Sequence, residues 1–235
     1  MSMRRGPLAA ALVLLVACAG CSADERCDPA APVAVLGAMP SELSPLLARA
    51  TIDAVHVIEG RVFHVGTLGG VPVVLAMTGI GLVNATATTD LLLDRFPVRG
   101  VVFSGVAGSP HRIADVTVPL VWSLVPDGSA LPVDPDWLSL VRAVASADSV
   151  ALERCTAVPP DAPDAELVCM PFAPAILVGG RGESSDPYRG APVVCRPGAG
   201  DVFGCDPALP PDATIAAADE GGDDVTVDME TAAAA

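Results

Sequence analysis

The chain has no lysine: all 13 of its cationic side chains are arginines, set against 28 aspartates and glutamates, for a formal net charge of -15. So little positive charge cannot neutralise phosphates in number, which excludes a nucleic-acid partner bound through its backbone. The missing lysines, with abundant Ala, Gly, Pro, Val and Arg, reflect the codons of a GC-rich genome rather than a chemical demand. Histidine is scarce too. His56, His64 and His111 are the only three, and no Cys-x-x-Cys pair follows the amino-terminal segment. A zinc site would need scattered ligands, so no metal or cofactor is expected. No internal repeat of solenoid period is present. The glycine-rich GGRGESS (179–185) lacks the Gly-Lys-Ser/Thr ending of a phosphate-binding loop.

What is present points to an exported globular protein. The 235 residues, 51% of them hydrophobic, suffice for one sizeable α/β domain. Arg4 and Arg5 precede an apolar run over 8–17, too short to span a bilayer, followed by LVACAGCS. Residues 1–21 therefore read as a bacterial export signal. Its end resembles a lipoprotein processing box, either LVAC with Cys18 lipidated or CAGC with Cys21; an ordinary cleaved signal and a short anchor are the alternatives. The expected location is the cell envelope, in the periplasm or on the outer face, with the membrane reached through a lipid anchor. Residues 22–32 read as a linker. Beyond them stand Cys27, Cys155, Cys169, Cys195 and Cys205, and an oxidising compartment favours disulfides. Of the three pairings open to the last four, the local ones are expected: Cys155 with Cys169 and Cys195 with Cys205.

From residue 33 to 235 apolar strands alternate with helical segments. VAVLGA reads as a buried strand, SELSPLLARA as a helix beginning on Ser41, RVFHVGTLGGVPVVLAMTG as two strands joined at Gly-Gly, and GLVNATATTDLLLDRF as a helix. VRGVVFSGVAG is a strand running into a glycine loop, DVTVPLVW a further strand, and DPDWLSLVRAVASA a helix with Pro135 in its first turn. APAILVGG and VTVDM supply later strands. This order implies an α/β domain with a mixed central sheet flanked by helices. The Cys-, Pro- and Gly-rich stretch around 155–211 reads as a disulfide-tethered surface insertion.

Four stretches carry the chemistry: GAMPSE (37–42), TGIGLVNA (78–85), SGVAGS (104–109) and VDME (227–230). In that order they resemble the nucleoside phosphorylase superfamily, most closely its methylthioadenosine/S-adenosylhomocysteine nucleosidases, over nearly the whole chain after the signal. A fifth stretch, GDVF (200–203), resembles the family's purine-lining segment. The resemblance implies that Glu42 activates the attacking water and that Glu230 holds the ribose 2' and 3' hydroxyls. It further implies that Met229 packs on the sugar and Phe203 on the base. Thr78, Gly79, Ser104 and Gly105 line the ribose and water pocket, and Asp228 lies beside the ribose where these nucleosidases often carry glutamate. These residue types suit the reaction: cleaving an N-glycosidic bond passes through an oxocarbenium-like sugar that needs nearby carboxylates and a positioned water. Taken singly, Glu42 also reads as a helix first-turn acid and Met229 as core.

A carboxylate at Glu42 would repel phosphate, which favours hydrolysis over phosphorolysis. The implied partner is a small purine nucleoside, and the family assembles as homodimers. Its general acid is an aspartate in a Ser-Asp motif on the loop after the strand that follows this helix, which here would fall past Ala235. The chain as written is therefore expected to lack the family's final strand and helix and to have little nucleosidase activity. The alternatives are a nucleoside phosphorylase and a non-catalytic, nucleoside-binding or storage-like envelope lipoprotein.

Overall fold

The computed structural model describes residues 28, 30–125, 128–147, 152–158, 164–188, 190–191, 193 and 224–235. Cys18, Cys21, Cys195, Phe203 and Cys205 lie outside the described residues, as do residues 1–21.

The main sheet grows from β1 (Val33–Gly37), which pairs in parallel with β4 (Val71–Met77) on one side and β5 (Gly100–Phe103) on the other. β1 is apolar along its length because helices cover both faces, as parallel strands require. Beyond β4 the sheet continues antiparallel through β3 (Arg61–Leu68) to β2 (Ala50–Ile58), giving the order β2-β3-β4-β1-β5. Glu59 and Gly60 (φ 50° and 79°) close the β2–β3 hairpin, and Gly69 and Gly70 (φ 58° and 83°) close β3–β4. Both are two-residue turns of the left-handed kind that matches strand twist.

Helix α1 (Pro40–Leu47) begins one residue earlier than expected, because Pro40 suits the first helical position. It stops at Leu47 instead of running to Ala50, which is already paired with Leu68 in β2. Leu43 packs with Val73 and Leu75 on one face of the sheet. On the other face α2 (Leu82–Arg95) sets Ala85 and Leu92 against Ala34, Leu36, Val74 and Ala76.

The stretch expected as one strand over DVTVPLVW is two. β6 (Val116–Val118) and β7 (Val121–Leu124) part at Pro119, which cannot donate to a ladder, and they join different sheets. β7 pairs antiparallel with β8 (Ala130–Pro132) and parallel with β12 (Arg181–Ser184), which pairs in turn with β13 (Val225–Asp228). β6 pairs with β11 (Ile176–Val178). Between β8 and β11 lies α3 (Pro135–Ala145), whose Asp134 cap accepts from the amides of Asp136 and Trp137 at 2.9 and 3.0 Å. β9 (Cys155–Val158) and β10 (Glu166–Cys169) form a hairpin in which Cys155 faces Cys169 and is disulfide-bonded to it. β11 and β12 thus fall inside the stretch read as an insertion, yet they belong to the sheets.

One two-way bridge ties the halves together. Gly108 and Val227 exchange backbone hydrogen bonds of 2.8 Å each way, and a Cβ on Gly108 would come within 2.8 Å of the Val227 side chain. This carries the end of β13 to the carboxyl ends of β1, β4 and β5. Among the described residues no helix is long and apolar enough to cross a membrane.

Candidate active site

Glu42 occupies the third position of α1, where its side chain turns back over the helix start. Oε2 accepts from the amides of Ala38 (2.6 Å) and Met39 (3.0 Å), satisfying donors that a helix start leaves open. Oε1 accepts from the amide of Val106 (2.8 Å) in the loop after β5. Gly105 is required for that approach: a Cβ there would lie 3.0 Å from Oε1. A carboxylate offers about four lone-pair sites, and three are filled by amides, which leaves one on Oε1. That is where a water can be held and oriented. Ser104 is exposed beside it, its amide bonded to the carbonyl of Leu36 at 2.8 Å.

Glu230 follows β13 and is only 4% exposed. Its Oε1 accepts from the amide of Gly81 (2.7 Å), 149 residues away in sequence, and Oε2 from the amide of Met229 (3.2 Å). Burial pushes its pKa from 4.5 up to about 7; the charges of Asp228 and Glu42 push the same way, and the two amide bonds oppose them. Glu42 is thus near enough for its charge to act on Glu230, although the two residues come from opposite ends of the chain. Among the described residues no group of His, Cys, Asp and Glu is placed to hold a metal.

Asp228 has work of its own. Its Oδ1 accepts from the Ser184 hydroxyl and the Glu230 amide (3.3 Å), and its Oδ2 from the Thr231 amide (3.1 Å) and hydroxyl. Ser184, fully buried, also accepts from the amide of Ala232 (2.9 Å). With four donors on its two oxygens, Asp228 is occupied inside the chain, where it caps the 3-10 turn Thr231–Ala233 and fixes the backbone of Glu230. Asp228 thereby positions the backbone of Glu230.

Thr78 and Gly79 form the turn from β4 into α2. The Thr78 hydroxyl lies 2.8 Å from the carbonyl of Gly79, and its amide donates to Gly37 at 2.8 Å. Gly79 (φ 86°) and Gly81 (φ 94°) bend the chain so that the Gly81 amide points at Glu230. The turn is pinned from outside by Arg61, at the start of β3: Nη1 donates to the carbonyl of Thr78 (2.8 Å) and the hydroxyl of Thr88 (2.6 Å), and Nη2 leans on Asn84 Oδ1 (3.4 Å). Asn84 spends its own two donors on the carbonyls of Ile80 (2.8 Å) and Val193 (2.7 Å). The sequence reading passed over Arg61 altogether.

It also passed over Tyr188, the chain's one tyrosine. Tyr188 is 6% exposed and clusters with Ala38, Ile80 and Val193, with Met39 and Met229 packed against them. Asp186 accepts from its amide at 2.8 Å and turns the chain after β12. Burial, then the charges of Glu230 and Asp186, raise the pKa of its phenol. Met229 is thus packed against an apolar patch whose aromatics are the buried Tyr188 and the partly buried Phe103. The available signal was an aromatic just past a short strand in SSDPY.

A family model described as the phosphorylase superfamily matches residues 32–235. An uncharacterized protein of Mycobacterium tuberculosis is 37% identical over 198 residues, which is 77% of this chain and 79% of that protein. A 5'-methylthioadenosine/S-adenosylhomocysteine nucleosidase of Geobacillus thermodenitrificans is 45% identical over 88 residues, covering 36% of this chain and 37% of its own length. Among solved structures, a mutant of Helicobacter pylori MTAN with 5'-methylthioadenosine in its active site aligns with a TM-score of 0.56 and 20% identity, over 87% of this chain and 78% of that one. At that identity the likeness speaks for the fold alone.

Proposed function

Because this chain belongs to the phosphorylase superfamily, we propose that it takes a purine nucleoside between Glu42 and Glu230 and acts as a nucleosidase of the methylthioadenosine/S-adenosylhomocysteine type. The observation that carries this reading is the convergence of those two carboxylates, each aimed by backbone amides, at the carboxyl ends of the central strands. Glu42 has one lone-pair site left for a water, which it orients and deprotonates as the water adds to the sugar C1'. Glu230, once ionised, accepts from the ribose 2' and 3' hydroxyls and stabilises the positive charge that grows on the ring. Tyr188 and Met229 offer a flat and a soft apolar surface to the nucleoside. The proton lost by the water balances the one the departing purine takes up, so the net reaction adds water across the glycosidic bond.

Hydrolysis is preferred to phosphorolysis because the carboxylate of Glu42 stands where a phosphate nucleophile would approach, and like charges at close range repel. The test is paired: equilibrium binding of 5'-methylthioadenosine, and adenine release from it in phosphate-free buffer. Adenine release independent of phosphate supports hydrolysis, and release that requires phosphate overturns it. Saturable binding without release favours the second reading, a nucleoside-binding envelope protein.

The reading extends to location and assembly. Arg4, Arg5 and the apolar run before Cys18 and Cys21 support export and lipid anchoring. Labelling with a radioactive fatty acid that survives both C18A and C21A, singly and together, argues against an anchor at either cysteine. The family resemblance supports a homodimer, which sedimentation equilibrium of the chain without residues 1–21 checks; a monomer at all accessible concentrations removes it.

A further inference from the structure

Helix α2 has no side-chain cap of its own. Gly81 holds the position before its first residue at φ 94°, and the Gly81 amide donates to Glu230 Oε1 at 2.7 Å. A helix start leaves its first amides without partners inside the helix and carries partial positive charge, so an ionised carboxylate is favoured there. How squarely that amide meets Glu230 depends on where the turn 78–81 is held. Gly79 and Gly81 both have positive φ, and glycine backbone of this kind needs outside contacts to fix it.

Those contacts start from one side chain on another element. Arg61, half-buried at the start of β3, donates from Nη1 to the Thr78 carbonyl at 2.8 Å and to the Thr88 hydroxyl at 2.6 Å, and Nη2 leans on Asn84 Oδ1 at 3.4 Å. A planar guanidinium thus spans the entry of the turn and the first two turns of α2. Because Arg61 can only donate, Asn84 turns its oxygen toward Arg61 and its NH2 toward the carbonyls of Ile80 (2.8 Å) and Val193 (2.7 Å). The Thr88 hydroxyl donates in turn to the Asn84 carbonyl at 2.8 Å. A Cβ on Gly79 would come within 3.0 Å of Asn84 Nδ2, so the turn closes tightly on that amide. The Ile80 carbonyl and the Gly81 N–H belong to one planar peptide unit and point opposite ways. Holding the carbonyl on Asn84 therefore aims the N–H at Glu230.

We propose that Arg61 is a positioning residue for Glu230: through the Thr78 carbonyl and Asn84 it sets the peptide plane whose amide meets that carboxylate, and so holds it ready for the ribose hydroxyls, a consequence that rests on the nucleoside reading given above. Burial opposes the ionisation of Glu230 most, and Asp228 on β13 and Glu42 on α1 add to it through their charges. Tyr188, beyond β12, feels the Glu230 charge but stays a neutral phenol. The Gly81 and Met229 amides work the other way, and Gly81, the sole contribution from the α2 start, has the greater effect of the two. Loosening the turn should therefore raise the pH at which Glu230 ionises without altering the carboxylate itself.

Carbon-13 NMR of the full chain labelled at the glutamate δ-carbon, with the Glu230 signal assigned through E230Q, reads that ionisation directly and without ligand. In R61Q the midpoint should rise by at least about 0.5 in pH, and R61K, which keeps the charge but loses the fork, should restore part of it. Affinity for 5'-methylthioadenosine should follow, falling at least about twofold in R61Q near pH 7 and recovering near about pH 8.5, where the carboxylate is ionised in both chains. An arginine that merely braces the fold would lower stability and leave the midpoint unmoved, and that result overturns the proposal. A raised midpoint in R61Q beside an unaltered chain that binds no nucleoside sinks the nucleoside reading and leaves the hold of Arg61 on Glu230 standing. Should R61Q not fold, T88V removes one acceptor of Arg61 with little change of shape. Its midpoint should rise in the same direction, and unmoved midpoints in T88V and R61K together refute the role.

Discussion

Glu42 and Glu230 are two carboxylates aimed at one site by opposite means. Glu42 is held by its own helix start, with two of its three amide bonds coming from residues three and four positions away. Glu230 reaches across 149 residues to Gly81, is nearly sealed from solvent, and has its pKa lifted to about 7. The first anchor is thus set by local backbone and the second by how the two halves of the chain meet. The first should therefore be sensitive to changes in its own side chain, and the second to pH and to the packing behind it.

The hardest blow to the first anchor is E42Q. The amide keeps the volume but sets an NH2 against backbone donors that now point at oxygen, so it loses both the base and part of its aim. Adenine release is expected to fall by about 10²–10⁴-fold, with stability reduced by ~1–3 kcal/mol for the donors left facing a donor. Turnover within about threefold of the unaltered chain would remove Glu42 from the water-activating role.

The second anchor should be broken by pH. A glutamate whose folded pKa is raised from 4.5 to about 7 favours the folded state while protonated. That contribution is full below about pH 4.5 and is lost as pH rises through about 7, an amount on the order of 3 kcal/mol. Denaturant titrations across this window should show stability falling with pH, and E230Q should flatten the slope. Nucleoside affinity should run the other way, rising with pH because only the ionised carboxylate accepts both ribose hydroxyls. An identical slope in E230Q would show that another group causes it.

The same contrast explains how much was legible in the sequence. Glu42, like Glu230, was placed by family resemblance, through GAMPSE, while its two local amide partners follow from its position in the first turn of α1. The strands β1, β4 and β5 were legible, because a buried parallel strand is a nearly continuous apolar run, and β13 was, from the alternation in VTVD. β2 was not: it is an edge strand with mostly exposed residues and an irregularity between Ile52 and Ala54, so no clean alternation survives. Glu230 was placed by family resemblance, but its amide partner Gly81 and the shift in its pKa are tertiary facts. Tyr188 was hidden because local composition around 155–211 is that of a loop, whereas its role comes from β12 lying between β7 and β13. Arg61 was passed over for a related reason, since all three of its acceptors lie beyond the hairpin that carries it.

The gentlest test acts behind the second anchor. Ser184 touches neither Glu42 nor Glu230, yet its hydroxyl donates to Asp228 and accepts from the Ala232 amide, so it couples β12 to the turn that sets the backbone of Glu230. S184A leaves the buried Ala232 amide without its acceptor and removes one of the four donors to Asp228, at a cost of ~1–3 kcal/mol in stability. Because Asp228 keeps its Thr231 and Glu230 donors, the displacement at Glu230 should be small, and nucleoside affinity should drop by only about two- to fivefold. Affinity and its pH dependence should shift together, since both read the same carboxylate. E42Q in the S184A background should then add its loss independently, because the two anchors share no hydrogen bond. Strong coupling between the two substitutions would mean that the anchors move as one unit, and the division between a locally held and a globally held carboxylate would have to be abandoned.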